Sequence, residues 1–393
     1  MKLIFVKFTV VVVLMLILAC ESERSSENGS IAVVEIDNSR EHFISSPKLL
    51  AQNKIIIIPK AQTYQIGNFF TEFHSIGENL LLVDRRVSEV TCINEDGDLI
   101  WKPIPPSPGV DRYEVIGSVD VDKFNREIYI EERMSGKMDV FDFKGKYVRT
   151  IQKVASFIEA AVIGENKLLY DISYRPQGGV NIDSTGPMRF LFRDGESLRY
   201  TTPMLAAASY NSIPVNNNDR FNRINGKLQH RRPFGNVIYQ IDDEANAKPV
   251  LSFSFARDFE FLAVSANPNV ENTWQELFEK GFPLPSVFVF DEDKNRLYCN
   301  YQVGEDFYFS CVDNGKQIIN PSKYYDLGGE YVRAPRIYSD GVFYQQMYRY
   351  EYEYIQAAFS DQLSKEDVQS GLEKLRTIKG DNDDVFIIAT VFG

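Results

Sequence analysis

The sequence predicts an all-β fold, a six-bladed β-propeller with two short helical insertions, and three observations lead to it. From about residue 54 onward the chain is a succession of short β-prone runs divided by Gly, Asn and Asp. A tight turn followed by an apolar strand recurs six times, and a second tight turn follows most of these at a similar distance. With 28 Phe and 21 Tyr against only two helix-like segments, the balance is that of a protein built from strands.

Residues 1–19 stand apart from this body. Lys2 and Lys7 precede and enter an apolar run from Phe8 to Ala19 that only Thr9 interrupts, and Cys20 follows at once. About a dozen apolar residues fall short of the roughly 20 of a spanning helix, whereas a basic start and a short apolar centre mark a cleavable export signal. Ile17-Leu18-Ala19-Cys20 resembles a bacterial lipobox, which implies acylation of Cys20 and attachment to a membrane through the acyl chains. Residues 20–30 are polar and acidic and read as a flexible tether. An acidic run at this place resembles the surface-export signal of Bacteroidota lipoproteins and implies the outer membrane, with the body at the cell surface or on the periplasmic face.

Residues 31–393 are assigned to the propeller. Loss of Lys2 and Lys7 with the signal moves the net charge from −12 to −14. That excludes a nucleic-acid partner, which asks for a basic stripe, and excludes adhesion to anionic lipid by charge, so the acyl chains must do the anchoring.

The six repeats open at Gly77-Glu78, Asn125-Arg126, Gly164-Glu165, Asn225-Gly226, Lys294-Asn295 and Asp340-Gly341. They lead to strands anchored on Leu81, Ile128, Leu168, Leu228, Leu297 and Val342, at intervals of 47, 40, 60, 69 and 45 residues. The second turns, at Gly97, Gly145, Gly195, Ala245 and Gly315, follow those anchors by 16, 17, 27, 17 and 18 residues. A strand-turn-strand-turn-strand module of this size is the footprint of a propeller blade. The longer intervals carry a polar insertion near residues 211–222 and a helix from Asn267-Pro268 to Gly281, with Val270, Trp274, Leu277 and Phe278 on one face. A second helix starts at Ser364, with Asp367 three residues later, and buries Val368, Leu372, Leu375 and Ile378. Val385 to Phe392 reads as a terminal strand, and a closed ring requires that the Ile55–Ile58 run pair with it in one blade.

The lipobox, the Ile66-Gly67 strand leading to Leu80–Asp84, the Gly97 turn, the Pro105–Tyr113 connection and the final helix with Asp381–Asp384 resemble the Bacteroidota six-bladed β-propeller lipoproteins, relatives of NHL and TolB-like propellers. The resemblance implies the fold, and a setting beside TonB-dependent nutrient transporters, hence outer-membrane transporter proteins as partners. Its motifs are turns and strands, so it carries no reaction.

The chemistry-bearing residues are few. His42, His74 and His230 are the only histidines, and no zinc spacing, nucleophile elbow or phosphate loop is present; no cofactor, metal or catalytic residue is assigned. Asp381–Asp384 lacks the Gly and distal Glu of a calcium loop. His74 reads as a strand residue, and His230, before Arg231-Arg232, as a solvated basic turn with anion binding as the functional alternative. Cys92, Cys299 and Cys311 are an odd set; the last two can face one another across a hairpin at Gly304 or stay as buried thiols. Asp120/Asp122, Asp242/Asp243 and Asp291/Asp293 read as turn formers, although acids from different blades can also converge in a carbohydrate-active hydrolase or lyase.

Tyr348-Arg349-Tyr350-Glu351-Tyr352-Glu353-Tyr354 alternates as a strand would, which sets Tyr348, Tyr350, Tyr352 and Tyr354 on one face, to meet a glycan or peptide ligand or to fill the space between blades. Arg85, Arg86, Arg133, Arg175, Arg231 and Arg232 are placed to reach the ring mouth from loops. The candidate ligand-binding residues are therefore the four tyrosines with Arg175, Arg231 and Arg232. The leading expectation is a lipid-anchored propeller that binds a ligand or protein partner beside an outer-membrane uptake system, and the rival is the hydrolase or lyase.

Overall fold

The computed structural model describes residues 31–39, 42–45, 51–59, 70–107, 111–152, 159–171, 190–195, 197–200, 221–231, 236–255, 284–304, 306–326, 331–361, 363–378 and 384–392. The signal (1–19), the tether with Cys20, the 267–281 helix, Arg175 and Arg232 lie outside these.

Six sheets form the ring, as the repeats predicted. Three strands precede the first blade: β1 (Val33–Ile36), β2 (His42–Ser45) and β3 (Ala51–Ile58). Blade 1 holds β4 (Glu72–Ile76), β5 (Asn79–Asp84), β6 (Glu89–Ile93) and β7 (Leu99–Trp101). Blade 2 holds β8 (Ile116–Asp122), β9 (Glu127–Glu132), β10 (Lys137–Asp142) and β11 (Tyr147–Gln152). Blade 3 follows with β12 (Glu159–Gly164), β13 (Lys167–Asp171), β14 (Phe190–Asp194) and β15 (Ser197–Tyr200). Blade 4 has β16 (Phe221–Ile224), β17 (Lys227–Arg231), β18 (Val237–Ile241) and β19 (Ala247–Phe255). Blade 5 has β20 (Leu284–Asp291), β21 (Arg296–Val303), β22 (Asp306–Asp313) and β23 (Lys316–Asp326), with β24 (Tyr331–Arg333) on β23. Blade 6 takes β25 (Ile337–Ser339), β26 (Val342–Tyr348) and β27 (Val385–Phe392) and borrows β3 as its outer strand.

The predicted clasp is present: β27 pairs antiparallel with β3, Val385 opposite Ile58 and Ile388 opposite Ile55. The two earlier strands, which the sequence did not reveal, continue the same circuit. β1 lies parallel on β19 of blade 4 and β2 parallel on β23 of blade 5, so the N-terminal segment covers the outer edges of three successive blades.

Both faces of a blade are buried against neighbours, which is why the strands read as near-continuous apolar runs rather than as an alternation. In β5 the alternation goes into direction. Leu81 and Val83 join the core shared with blade 2, while Leu80 and Leu82 join Ile56, Ile58 and Ile387 of blade 6. Hydrophobic clusters fill each of the six blade interfaces in this manner. Polar side chains stitch the inner ends. Ser118 Oγ accepts from the Ala160 N–H at 3.0 Å, Glu159 accepts from the Phe221 N–H at 3.2 Å, and the Gln229 amide pairs with the backbone of Phe290.

Between β26 and β27 the chain leaves the sheet as two helices, α1 (Arg349–Ser360) and α2 (Lys365–Ile378). The second forms where expected: Ser364 Oγ accepts the Asp367 N–H at 3.2 Å, and Val368 and Leu372 are buried, while Leu375, placed in the same stripe, is half-buried and the Ile378 side chain lies outside the description. The first corrects the strand reading of residues 348–354. Glu351 accepts the Tyr348 N–H at 3.3 Å, and Ile355, Ala358 and Phe359 bury a helical stripe, so the four tyrosines do not share one face.

Candidate functional site

Strand alternation sorts the loops. Among the described turns, those from first to second and from third to fourth strand gather on one face of the ring, and those from second to third strand gather with both helices on the other, here termed the insertion face. Two places in the described ring combine space with charge.

One is the axis itself, lined by the first strands of blades 1, 2, 3, 4 and 6. Its free space is small, about 60 Å³, room for a few waters. Charged pairs occupy the rest. Glu72 is paired with Arg85 and, at 3.4 Å, with His74 Nε2. Arg223 reaches from blade 4 to Asp120 of blade 2 at 2.9 Å and also donates to the Val162 carbonyl, while Asp120 accepts the Val162 N–H at 2.6 Å. Tyr338 of blade 6 donates to the Arg223 carbonyl at 2.9 Å, and Lys123 meets Asp340 at 2.9 Å at the turn-side mouth. Burial would raise the Glu72 carboxyl, yet Arg85 and His74 together hold it below the ordinary carboxylate value. Burial would likewise lower the His74 imidazole, but the Glu72 hydrogen bond and the charges of Glu72, Asp120 and Asp340 hold it above the ordinary histidine value. Every acid here already has a partner, so the axis is sealed by charge.

The other is a half-open cleft of about 150 Å³ on the insertion face, between blade 5 and α2. Ala334, Leu372 and the Tyr324 ring supply its apolar walls. Lys323, Arg333 and Arg336 bring three cations to it, and Asp306 and Glu373 bring two carboxylates. Lys323 pairs with Asp306, Arg333 lies 3.4 Å from Glu351, and the Arg336 guanidinium lies 4.2 Å from the Phe307 ring centre.

The sequence-based candidates are dispersed. Arg231 is buried between blades 4 and 5, donating to the Ser286 carbonyl at 2.9 Å and lying 5.2 Å from the Phe288 ring. His230 is wholly buried 3.3 Å from Asp171, and the two replace the solvated basic turn that the sequence suggested. Tyr348 and Tyr350 stack at 5.5 Å, Tyr352 packs on Phe386 at 5.2 Å, and the Tyr354 hydroxyl donates to the Asp367 carbonyl at 3.1 Å. Arg85 is drawn into the axial network. Asp122, Asp242 and Asp291 act as the turn formers expected, each accepting backbone N–H groups of its own turn. Cys299 and Cys311 are free and buried, one in the core toward blade 4 and the other in the core toward blade 6, because adjacent cross-strand positions point to opposite faces. Burial pushes the Cys299 thiol up to about 12. Among the described residues no cluster of three or more His, Cys, Asp or Glu is arranged to hold a metal ion, and no helix is long and apolar enough to cross a membrane.

A family model described as a six-bladed β-propeller, DUF5128, matches residues 71–326. The solved structure of a Bacteroides fragilis protein designated as exported aligns with a TM-score of 0.65 at 14% identity, covering 92% of this chain and 100% of that one. A member of the duf4221 family from Bacteroides vulgatus aligns with a TM-score of 0.48 at 10% identity, over 88% of this chain and 98% of that one. No curated protein matches. At such identities the likeness is one of fold.

Proposed function

Because this chain belongs to the DUF5128 family of six-bladed β-propellers, a fold that brings no reaction with it, we propose that it is a lipid-anchored binding protein of the cell envelope. It captures a glycan, a peptide or a protein partner on the insertion face of its ring, as an accessory of an outer-membrane nutrient-uptake system. The observation that carries this reading is the contrast between an axis filled by paired charges and an insertion face that offers a cleft with cations and aromatic walls. The lipobox at Cys20, the acidic tether and the exported designation of the similar Bacteroides fragilis protein support the location. The motifs shared with NHL and TolB-like propeller lipoproteins support the uptake setting.

The rival, a hydrolase or lyase, has one observation in its favour, the convergence of Glu72, His74 and Asp120 at the axis. Their engagement with Arg85, Arg223 and backbone amides, and a space too small for a sugar ring, favour binding instead. A screen of the mature chain against glycans and peptides tests the reading: saturable, non-consumed ligand supports it, and turnover abolished by Glu72→Gln overturns it. For the anchor, wild type should partition with membranes carrying acyl chains, and Cys20→Ser should be released; equal partitioning would remove the lipid from the reading.

A further inference from the structure

We infer that the outer edge of blade 2 is a further interaction surface, one that takes an extended segment of a partner protein as an added strand. The segment carries acidic residues first and apolar side chains at alternate positions after them. This surface lies on the rim of another blade and does not depend on the insertion-face reading.

The molecule itself shows how such a strand is held. In blade 4 the fourth strand, β19, has a bulge at Val250, and β1 lies parallel on the residues beyond it. The Ser252 N–H, two residues past the bulge, points outward and donates to the Ala32 carbonyl at 2.9 Å. Val34 sits opposite Phe253, and both belong to the core shared with blade 5. In blade 2 the fourth strand, β11, has its bulge at Val148. Counted from the bulge, Thr150 takes the place of Ser252 and Ile151 the place of Phe253. No described strand pairs with the outer edge of β11. Ile151 packs on the core between blades 2 and 3 and is only half-buried, whereas Phe253, with Val34 opposite it, is fully buried.

The devices that keep an edge from pairing are proline, free charge and bulges. β11 has no proline, and its one charged side chain, Arg149, is held by Glu127. Its bulge is no obstacle, because β19 accepts β1 beyond the same feature. With six residues it is also longer than the open fourth strands of blades 1 and 3, which have three and four.

Charge names the kind of strand. A strand added parallel to β11 enters past the preceding turn, where Lys144 and Lys146 are exposed and form no ion pair among the described residues. Arg126 stands at the same corner, 5.5 Å from the Phe143 ring centre. The matching turn of blade 4 is lined by Asp242, Asp243 and Glu244 instead. The chain as a whole is acidic, but its distant charges are screened beyond roughly 10 Å, so the local cations decide what approaches. The N-terminal segment of this chain has the required chemistry, with Glu27 ahead of Val34 and Ile36. Its own strand is already seated on β19, so a second copy has none to spare and the occupant is another protein.

The test is fluorescence anisotropy of the mature chain with a labelled synthetic peptide of residues 27–36 as the acidic strand. Saturable binding that weakens with added salt is expected. Lys144→Glu combined with Lys146→Glu, both at exposed positions, should weaken it about fivefold or more. Thr150→Pro, which removes the outward N–H, should weaken it about tenfold or more, with folding checked by circular dichroism; if that variant does not fold, the lysine variant decides. A Val34→Asp peptide should bind about tenfold less tightly or worse. No binding, or binding that the lysine and proline variants leave unchanged, would overturn the assignment. So would a mature chain that sediments as a dimer and is dissociated by the lysine variant, since the edge would then serve a second copy. Capture of a ligand on the insertion face is untouched by these substitutions, so the two surfaces fail separately.

Discussion

His74 holds its proton to higher pH than an ordinary histidine because of its company. Its raised value means that the stabilisation it gives through Glu72 is complete below the ordinary histidine value near 6.5 and fades as the pH climbs through the raised one. Glu72, whose value is lowered, contributes above its ordinary 4.5 and loses that contribution as the pH falls through the lowered one. The axis is therefore tightest between those limits, with Arg85, Asp120 and Asp340 as the other charges facing the imidazole. Thermal melts from pH 5 to 9 should show wild type losing more stability above pH 6.5 than His74→Gln; parallel profiles would refute the coupling. Glycine positions give a second comparison. Gly97 (φ +85°) sits where a Cβ would overlap the Ile57 carbonyl, whereas Gly195 (φ +56°) faces open space. Gly195→Ala should cost about 1 kcal/mol from backbone strain alone, and Gly97→Ala about 3 kcal/mol or more, by denaturant midpoint. Residues of this kind were legible in the sequence. Gly77, Asn225, Gly226, Asn295, Gly97, Gly145, Gly195 and Gly315 all take the positive φ that their turns demand, because turn chemistry is local. The tyrosine run was not legible, since a period of two was outweighed by Glu351 on the Tyr348 N–H and by the burial of Ile355 and Phe359.

Strands were recoverable where they pack on both faces, and lost where pairing is remote. β1 and β2 are only four residues each and lie parallel on strands more than 200 residues away, so no local pattern announces them. Their docking is energetically testable. Ile36 is fully buried in the core between blades 4 and 5 while Val33 is 70% exposed. Ile36→Ala should cost about 2–4 kcal/mol, against less than about 0.5 kcal/mol for Val33→Ala; equal, small effects would mean that the segment adds nothing to the ring. In α2, by contrast, the Ser364 cap and the buried Val368 and Leu372 follow a helix's own period, which made the element readable in isolation.

Across the whole molecule the repeat spacing disclosed the architecture and concealed the sites. The axial residues 72, 120, 223 and 340 come from blades 1, 2, 4 and 6, and the cleft joins blade 5 to a helix inserted in blade 6, so neither leaves a contiguous motif. Their interdependence can be measured. Asp120→Asn and Arg223→Met should each cost about 3 kcal/mol by stranding a mostly buried partner, and the double variant should lose clearly less than the two together; strict additivity would show that the ions do not act as a pair. The seam in blade 6 has a consequence for biogenesis. β3 emerges before any blade and β27 after every other described strand, so a chain that emerges progressively from its N-terminus stays an open horseshoe until this eight-residue strand arrives. Until then the facing cores of blades 1 and 6 remain bare, and a nascent chain stalled short of that strand is a natural substrate for proteases.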